Sequence, residues 1–229
     1  WLLRVVKMSG LGNWSSSTTG YINTNQQDCS REISVLLKKC ILSYPHHWTD
    51  LVFLCIGTDR VTGDCLGPYV GHRLSSFCFP GIYVYGTLVQ PVHALNLCDT
   101  RKEILSRHPD SLIIAVDASL GQKKHLGYVT IANGALYPGA AVHKKLPPVG
   151  HIHITGIVNT AGMLEQLTLQ TTRLSTVISI AEQISNGILL MIPQSDFRQT
   201  LWSVCKYLLH PGHISQEEQL PDLILQIHH

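Results

Sequence analysis

Two aspartates, Asp64 and Asp117, are the residues best placed to do chemistry. The apolar run 51–56 leads through Gly57-Thr58-Asp59-Arg60-Val61-Thr62-Gly63 to Asp64, and the apolar run 112–116 leads directly into Asp117. Two carboxylates brought together from separate strands raise one another's proton affinity, so one can accept a proton from water while the other keeps its own. The same pair is suited to share a divalent metal with a histidine. Either aspartate alone would more simply cap the helix or turn that follows it. Two at the same sheet edge read as a site. Thr58, Asp59 and Arg60 share the first loop and are the substrate-positioning candidates. Arg60 suits a substrate carboxylate or Asp64, although an Asp59–Arg60 pair that only fixes the turn is an equal alternative.

The next cluster is His151 and His153, two apart and so on one face of a strand. His153 is the candidate metal ligand or base, against the plainer role of a satisfied strand histidine. His93 sits where a helix begins and reads first as a local structural residue. Cys65 follows Asp64 at a helix start, where a thiolate is stabilised, which keeps a Cys–His nucleophile as a lesser alternative. No serine lies in a G-x-S-x-G elbow. No G-x-G-x-x-G or Gly-Lys-Ser loop marks a nucleotide site.

These residues need elements to hold them. Fully apolar strand runs predict a parallel sheet buried on both faces. Strands are expected at 51–56, 82–85, 112–116, 128–132 and 151–158. Helices are expected from Asp28 or Ser30 to Pro45, from Pro68, over 93–107 with Leu95, Leu97, Ile104 and Leu105 toward the core, and over 161–188 with a break at 170–173. Alternating strands and helices of this kind predict an α/β fold with a mostly parallel sheet between two helical layers. The expected organisation is a flexible leader at 1–27, a single domain at 28–190, and a C-terminal helix (197–209) with a loose tail within 191–229.

A 45% hydrophobic and 14% charged chain suits a packed core. A net charge of +2 is too small for nucleic acid to be the main partner. No apolar run reaches the roughly 18 residues of a membrane span, and the first residues are too charged for a secretory signal. A cytoplasmic setting is expected. Seven cysteines without a CxxC pair argue against a disulfide framework or a cysteine zinc site. Cys40, Cys55, Cys78 and Cys205 read as buried thiols.

Several stretches together resemble the YyaC-like sporulation proteins, described as spore proteases. They are Gly57-Thr58-Asp59-Arg60, Gly63-Asp64-Cys65-Leu66-Gly67-Pro68, Pro91-Val92-His93-Ala94-Leu95-Asn96, Asp117-Ala118-Ser119-Leu120-Gly121 and His153-Ile154-Thr155-Gly156-Ile157-Val158-Asn159. The likeness spans about residues 50–190. It implies kinship with the germination protease and the hydrogenase maturation endopeptidases, and a phosphorylase/hydrolase-like three-layer sandwich. It further implies peptide-bond hydrolysis with Asp64 and Asp117 as the catalytic pair, acting on a protein or peptide substrate in a spore or sporulating cell. The endopeptidase side of the likeness implies a divalent metal, nickel or zinc, held by Asp64, Asp117 and a histidine, for which His153 is the candidate. A non-catalytic factor that binds a protein partner is the alternative. Oligomeric state is open.

Overall fold

The computed structural model describes residues 19–138 and 146–192. In chain order these form β1 (Thr19–Asn23), α1 (Cys29–Leu42), β2 (Asp50–Cys55), α2 (Leu66–Ser75), β3 (Ile82–Tyr85), α3 (Leu97–Arg107), β4 (Ser111–Gly121), β5 (Tyr128–Asn133), β6 (Ile152–Thr160), α4 (Glu165–Gln170) and α5 (Leu174–Met191). The strands make one sheet in the order β1-β5-β6-β4-β2-β3. β3, β2, β4 and β6 pair in parallel, and β5 runs antiparallel to both β6 and β1. The mostly parallel α/β sandwich expected from the apolar runs is the fold observed.

Pleat alternation divides each central strand between two cores. Leu51, Phe53 and Cys55 of β2, with Leu112, Ile114 and Val116 of β4, face the layer built from α1, α2 and α5. Val52, Leu54, Ile113 and Ala115 face the other way, onto Leu97 and Ile104 of α3. Burying each such large aliphatic side chain contributes about 1.5–3 kcal/mol, which is why residues 51–55 of β2 and 112–116 of β4 include no polar residue. Among the described residues α5 is the one helix long and apolar enough to cross a membrane. It instead packs Val177, Ile180, Ile184 and Ile188 against α1 and α2 and so serves as a core helix.

Four expectations need correction. Thr19–Asn23 lies within the stretch read as leader, yet it is an edge strand paired in register with β5, with Ile22 buried. Two polar flanking segments hid its short alternation. Leu95 is 76% exposed and Leu105 46% exposed, because α3 starts at Leu97 and offers the core only Leu97 and Ile104. Cys78 is exposed, whereas Cys40 and Cys55 are buried. Asp117 does not end its strand: β4 continues to Gly121 beside β6. The helical segment 161–188 does break, into α4 and α5. Cys205 and the helix expected at 197–209 lie outside the described residues.

Candidate active site

The sheet creates a divergence at its centre. β2 leaves through α2 on one face to reach β3 on its outer side. β4 lies on β2's other side, and its chain continues away toward β5 and β6. The outgoing connections of two adjacent parallel strands therefore separate and open a crevice at their carboxyl ends, where ligands bind in such sheets. Asp64 comes from the connection after β2. Asp117 sits one residue beyond the last β2–β4 pair, Cys55 with Val116. Both line a cavity of about 330 Å³, together with Thr58, His93, Thr155 and Glu165.

The loop that carries Asp64 is held by its backbone. Gly57 donates its N–H to Val92 (2.8 Å), Thr58 to the carbonyl of Asp64 (3.1 Å), and Asp64 to that of Val61 (2.9 Å). Gly57 has φ +139°, and a Cβ there would collide with the Asp64 carbonyl oxygen and crowd the Pro68 ring. A Cβ on Gly67 would likewise collide with the carbonyl of Ile56. These two glycines let the strand end, the aspartate turn and the first turn of α2 touch without side chains between them. Pro68 occupies the third residue of α2, inside its first turn, where no helical partner exists for its missing N–H.

Asp117 is fixed more simply. Its Oδ1 accepts the N–H of Ala118 at 2.8 Å, and its register partner on β6 is Thr155. The Thr155 hydroxyl pairs with that of Thr130 at 2.6 Å. The electrostatics of the two aspartates follow from their surroundings. Burial pushes the Asp64 carboxyl up to about 6, against a weaker opposing hydrogen bond from the Thr58 backbone. Burial also pushes Asp117 well above the carboxylate range, and the negative charge of Asp64 pushes it further, with the Ala118 N–H opposing. Both carboxyls therefore hold their protons more tightly than an ordinary carboxylate, Asp64 through burial and Asp117 through burial together with the charge of Asp64.

The structure separates the remaining candidates. Thr58 lines the cavity with the pair. Asp59 and Arg60 are exposed and do not line it. The Arg60 N–H bonds the Thr58 hydroxyl at 3.3 Å, and no ion pair joins Asp59 to Arg60 among the described residues. His153 is not brought to the aspartates. It pairs in register with Ala115, two residues before Asp117 along β4, and its Nδ1 hydrogen-bonds the Gly134 carbonyl at 2.9 Å. Burial lowers its proton affinity, with the Gly134 carbonyl opposing. It is the satisfied strand histidine. His151 is similar: its Nδ1 accepts the Ile113 N–H at 3.0 Å. His93 reaches the cavity, while its Nδ1 accepts the Leu95 N–H at 3.3 Å and its own N–H is capped by Asn96 at 2.8 Å.

The donor set does not fit the expected metal. Among the described residues no three His, Cys, Asp or Glu side chains converge to hold an ion, and the histidine assigned to that role is engaged elsewhere. The Cys65 alternative also weakens: the thiol is buried, and burial together with the charges of Asp59 and Asp64 raises its proton affinity, which disfavours a thiolate. Thr155 and Glu165 are site-lining residues that the sequence reading missed. Thr155 was legible as the residue that shares a strand face with His153. Glu165 follows a turn and carries no pattern that distinguishes it from an ordinary helix-start acid.

A mostly parallel α/β sandwich with a half-buried carboxylate pair at its central crevice defines the class of protein. Its membership follows from the sequence comparisons. The chain belongs to the DUF1256 family, proteins of unknown function, whose pattern matches residues 21–187. It is 38% identical over 193 residues to the uncharacterized protein YyaC of Bacillus subtilis (strain 168), a match covering 84% of this chain and 93% of YyaC. The YyaC-like resemblance is therefore shown. Among solved structures it is similar to the [NiFe] hydrogenase maturation protease HycI from Thermococcus kodakarensis KOD1. That match has a TM-score of 0.36 and 19% identity, over 63% of this chain and 97% of HycI.

Proposed function

We propose that the protein is a peptidase in which Asp64 and Asp117 activate a water molecule, acting on a protein or peptide substrate in the cytoplasm of a spore or sporulating cell. The observation that carries this reading is the pairing itself. Two carboxyls from separate elements face one cavity, and both bind protons more tightly than ordinary carboxylates. The spore setting comes from the resemblance to spore proteases.

The chemistry follows from where the proton sits. Above about pH 6 Asp64 is ionised and accepts a proton from water as that water attacks the peptide carbonyl. Asp117 retains its proton and donates it to the carbonyl oxygen or the departing amine. The tetrahedral intermediate collapses with the C–N bond broken, and the pair returns to one shared proton. Thr58 and Thr155, in the cavity wall, orient the peptide. Asp59 and Arg60, exposed at the loop tip, meet the substrate chain outside the cavity. No step is routed through a metal, because the described side chains do not assemble a ligand set.

The experiment is cleavage of a randomised peptide library, read by mass spectrometry. The native chain is expected to cut. Asp64→Asn and Asp117→Asn are expected to fold and not to cut, and full activity in both variants would sink the mechanism.

A further inference from the structure

β3 is an outer strand of the sheet, paired on one side only among the described residues. The phase of its ladder is set by the Leu51 N–H donating to the Gly81 carbonyl at 2.8 Å. In a parallel ladder, bonding alternates along the strand. Tyr83 and Tyr85 therefore turn their backbone groups toward β2, and the N–H and C=O of Val84 point away from the sheet. Beside this edge runs a groove of about 620 Å³. It is lined by β3 and by Thr100, Glu103 and Arg107 of α3, with Asn96 just before that helix. His93 lines both this groove and the cavity of Asp64 and Asp117.

We propose that the substrate's extended segment binds in this groove as an added strand on β3, and that His93 marks its passage into the aspartate cavity. An open strand edge offers unsatisfied backbone donors and acceptors, and an extended peptide is their complement. Main-chain bonds to Val84 give affinity largely independent of sequence. The polar α3 stripe gives room for side chains on one side of the peptide. The inference deepens the peptidase reading and rests on it for the direction in which the peptide runs. The binding mode itself does not require cleavage.

The test uses the full chain carrying Asp64→Asn and an array of ten-residue peptides, read by binding and by amide hydrogen exchange. Bound peptides are expected to slow exchange at Val84 at least tenfold. N-methylation of alternate peptide amides is expected to weaken binding at least tenfold. Thr100→Trp, which fills the groove, is expected to do the same, whereas Arg101→Trp on the exposed side of α3 leaves binding unchanged. No binding, or binding without protection of Val84, overturns the proposal. So does protection of Val84 before peptide is added: if independent of protein concentration it assigns the edge to this chain's own residues 193–229, and if concentration-dependent, to a second copy. Cleavage is scored separately with the native chain. Protected binding without cleavage sinks the peptidase reading alone, and cleavage without protection sinks the strand-addition proposal alone.

Discussion

Two polar pairs reach the same sheet by the same device, and they end in opposite conditions. Asp64 arrives on the connection after β2, and Asp117 lies on β4 just past its last pairing with β2, where the outgoing chains part. His151 and His153 arrive at the start of β6, where the neighbouring backbone closes over them. The aspartates face a cavity and hold protons too tightly. The histidines face partners and hold protons too loosely, His151 through burial and the charge of His46, and His153 through burial. A polar residue on a buried strand is costly wherever it lies. At the crevice that cost stands as raised proton affinity, and further back it is relieved by a hydrogen bond.

The largest effect expected from this contrast is on turnover. Asp64→Asn or Asp117→Asn should lower peptide cleavage by about 10³-fold or more, in the range that proton-transfer groups contribute. His153→Gln should leave it within about tenfold in the same mass-spectrometric assay, since a residue with no place at the cavity supplies no such transfer. Equal losses in all three would erase the distinction between the pairs.

Next comes the loop that aims Asp64. Gly57→Ala places a Cβ against the Asp64 carbonyl oxygen at a φ that L residues rarely adopt. A stability loss of about 2 kcal/mol in urea unfolding is expected, with activity falling further than unfolding alone explains. Asp59→Ala, at the exposed loop tip, should change stability by less than about 0.5 kcal/mol.

The pH dependence of stability separates the pairs by sign. Both carboxyls bind protons more tightly in the folded state than unfolded. Their favourable contribution is complete below the ordinary carboxylate range and is lost as pH rises, through about 6 for Asp64 and well above the ordinary carboxylate range for Asp117. Asparagine does not ionise. Asp64→Asn should therefore be more stable than the native chain at pH 8, by about 2 kcal/mol after allowing for solvent screening, and equal to it at pH 4. His151 and His153 act in the opposite sense. Their neutral forms suit the fold, so stability falls as pH drops below the ordinary histidine range. A smaller effect than that of Asp64→Asn is that His153→Gln flattens this acid-side loss while costing about 1 kcal/mol at neutral pH for its Gly134 hydrogen bond. Urea titrations at pH 4, 6 and 8 measure both slopes.

Much of this arrangement was legible in the residue order. The short apolar runs 51–56 and 112–116 read as strands covered on both faces, so β2 and the first half of β4 could be read directly, together with the aspartates that follow those runs. His153 could not be resolved the same way. Two-residue spacing tells which face a side chain takes, and not how far along the strand the crevice opens. That distance depends on register: Ala115 faces His153, and Asp117 faces Thr155. β1 was lost because five residues of short alternation gain their meaning only from β5, more than a hundred positions later. Leu95 misled because it precedes α3 and stays 76% exposed, so its apolar character meets no core. Glu165 had no local signal, since only the fold carries α4 to the cavity.

The pH profile of peptide cleavage tests the central claim most directly. With Asp64 as base and Asp117 as acid, the rate should rise through an acid limb near pH 6 and fall at higher pH as Asp117 loses its proton. Asp64→Asn should abolish cleavage at every pH. A profile with no limb near pH 6, or an Asp64→Asn variant that cleaves at the native rate, would contradict the account.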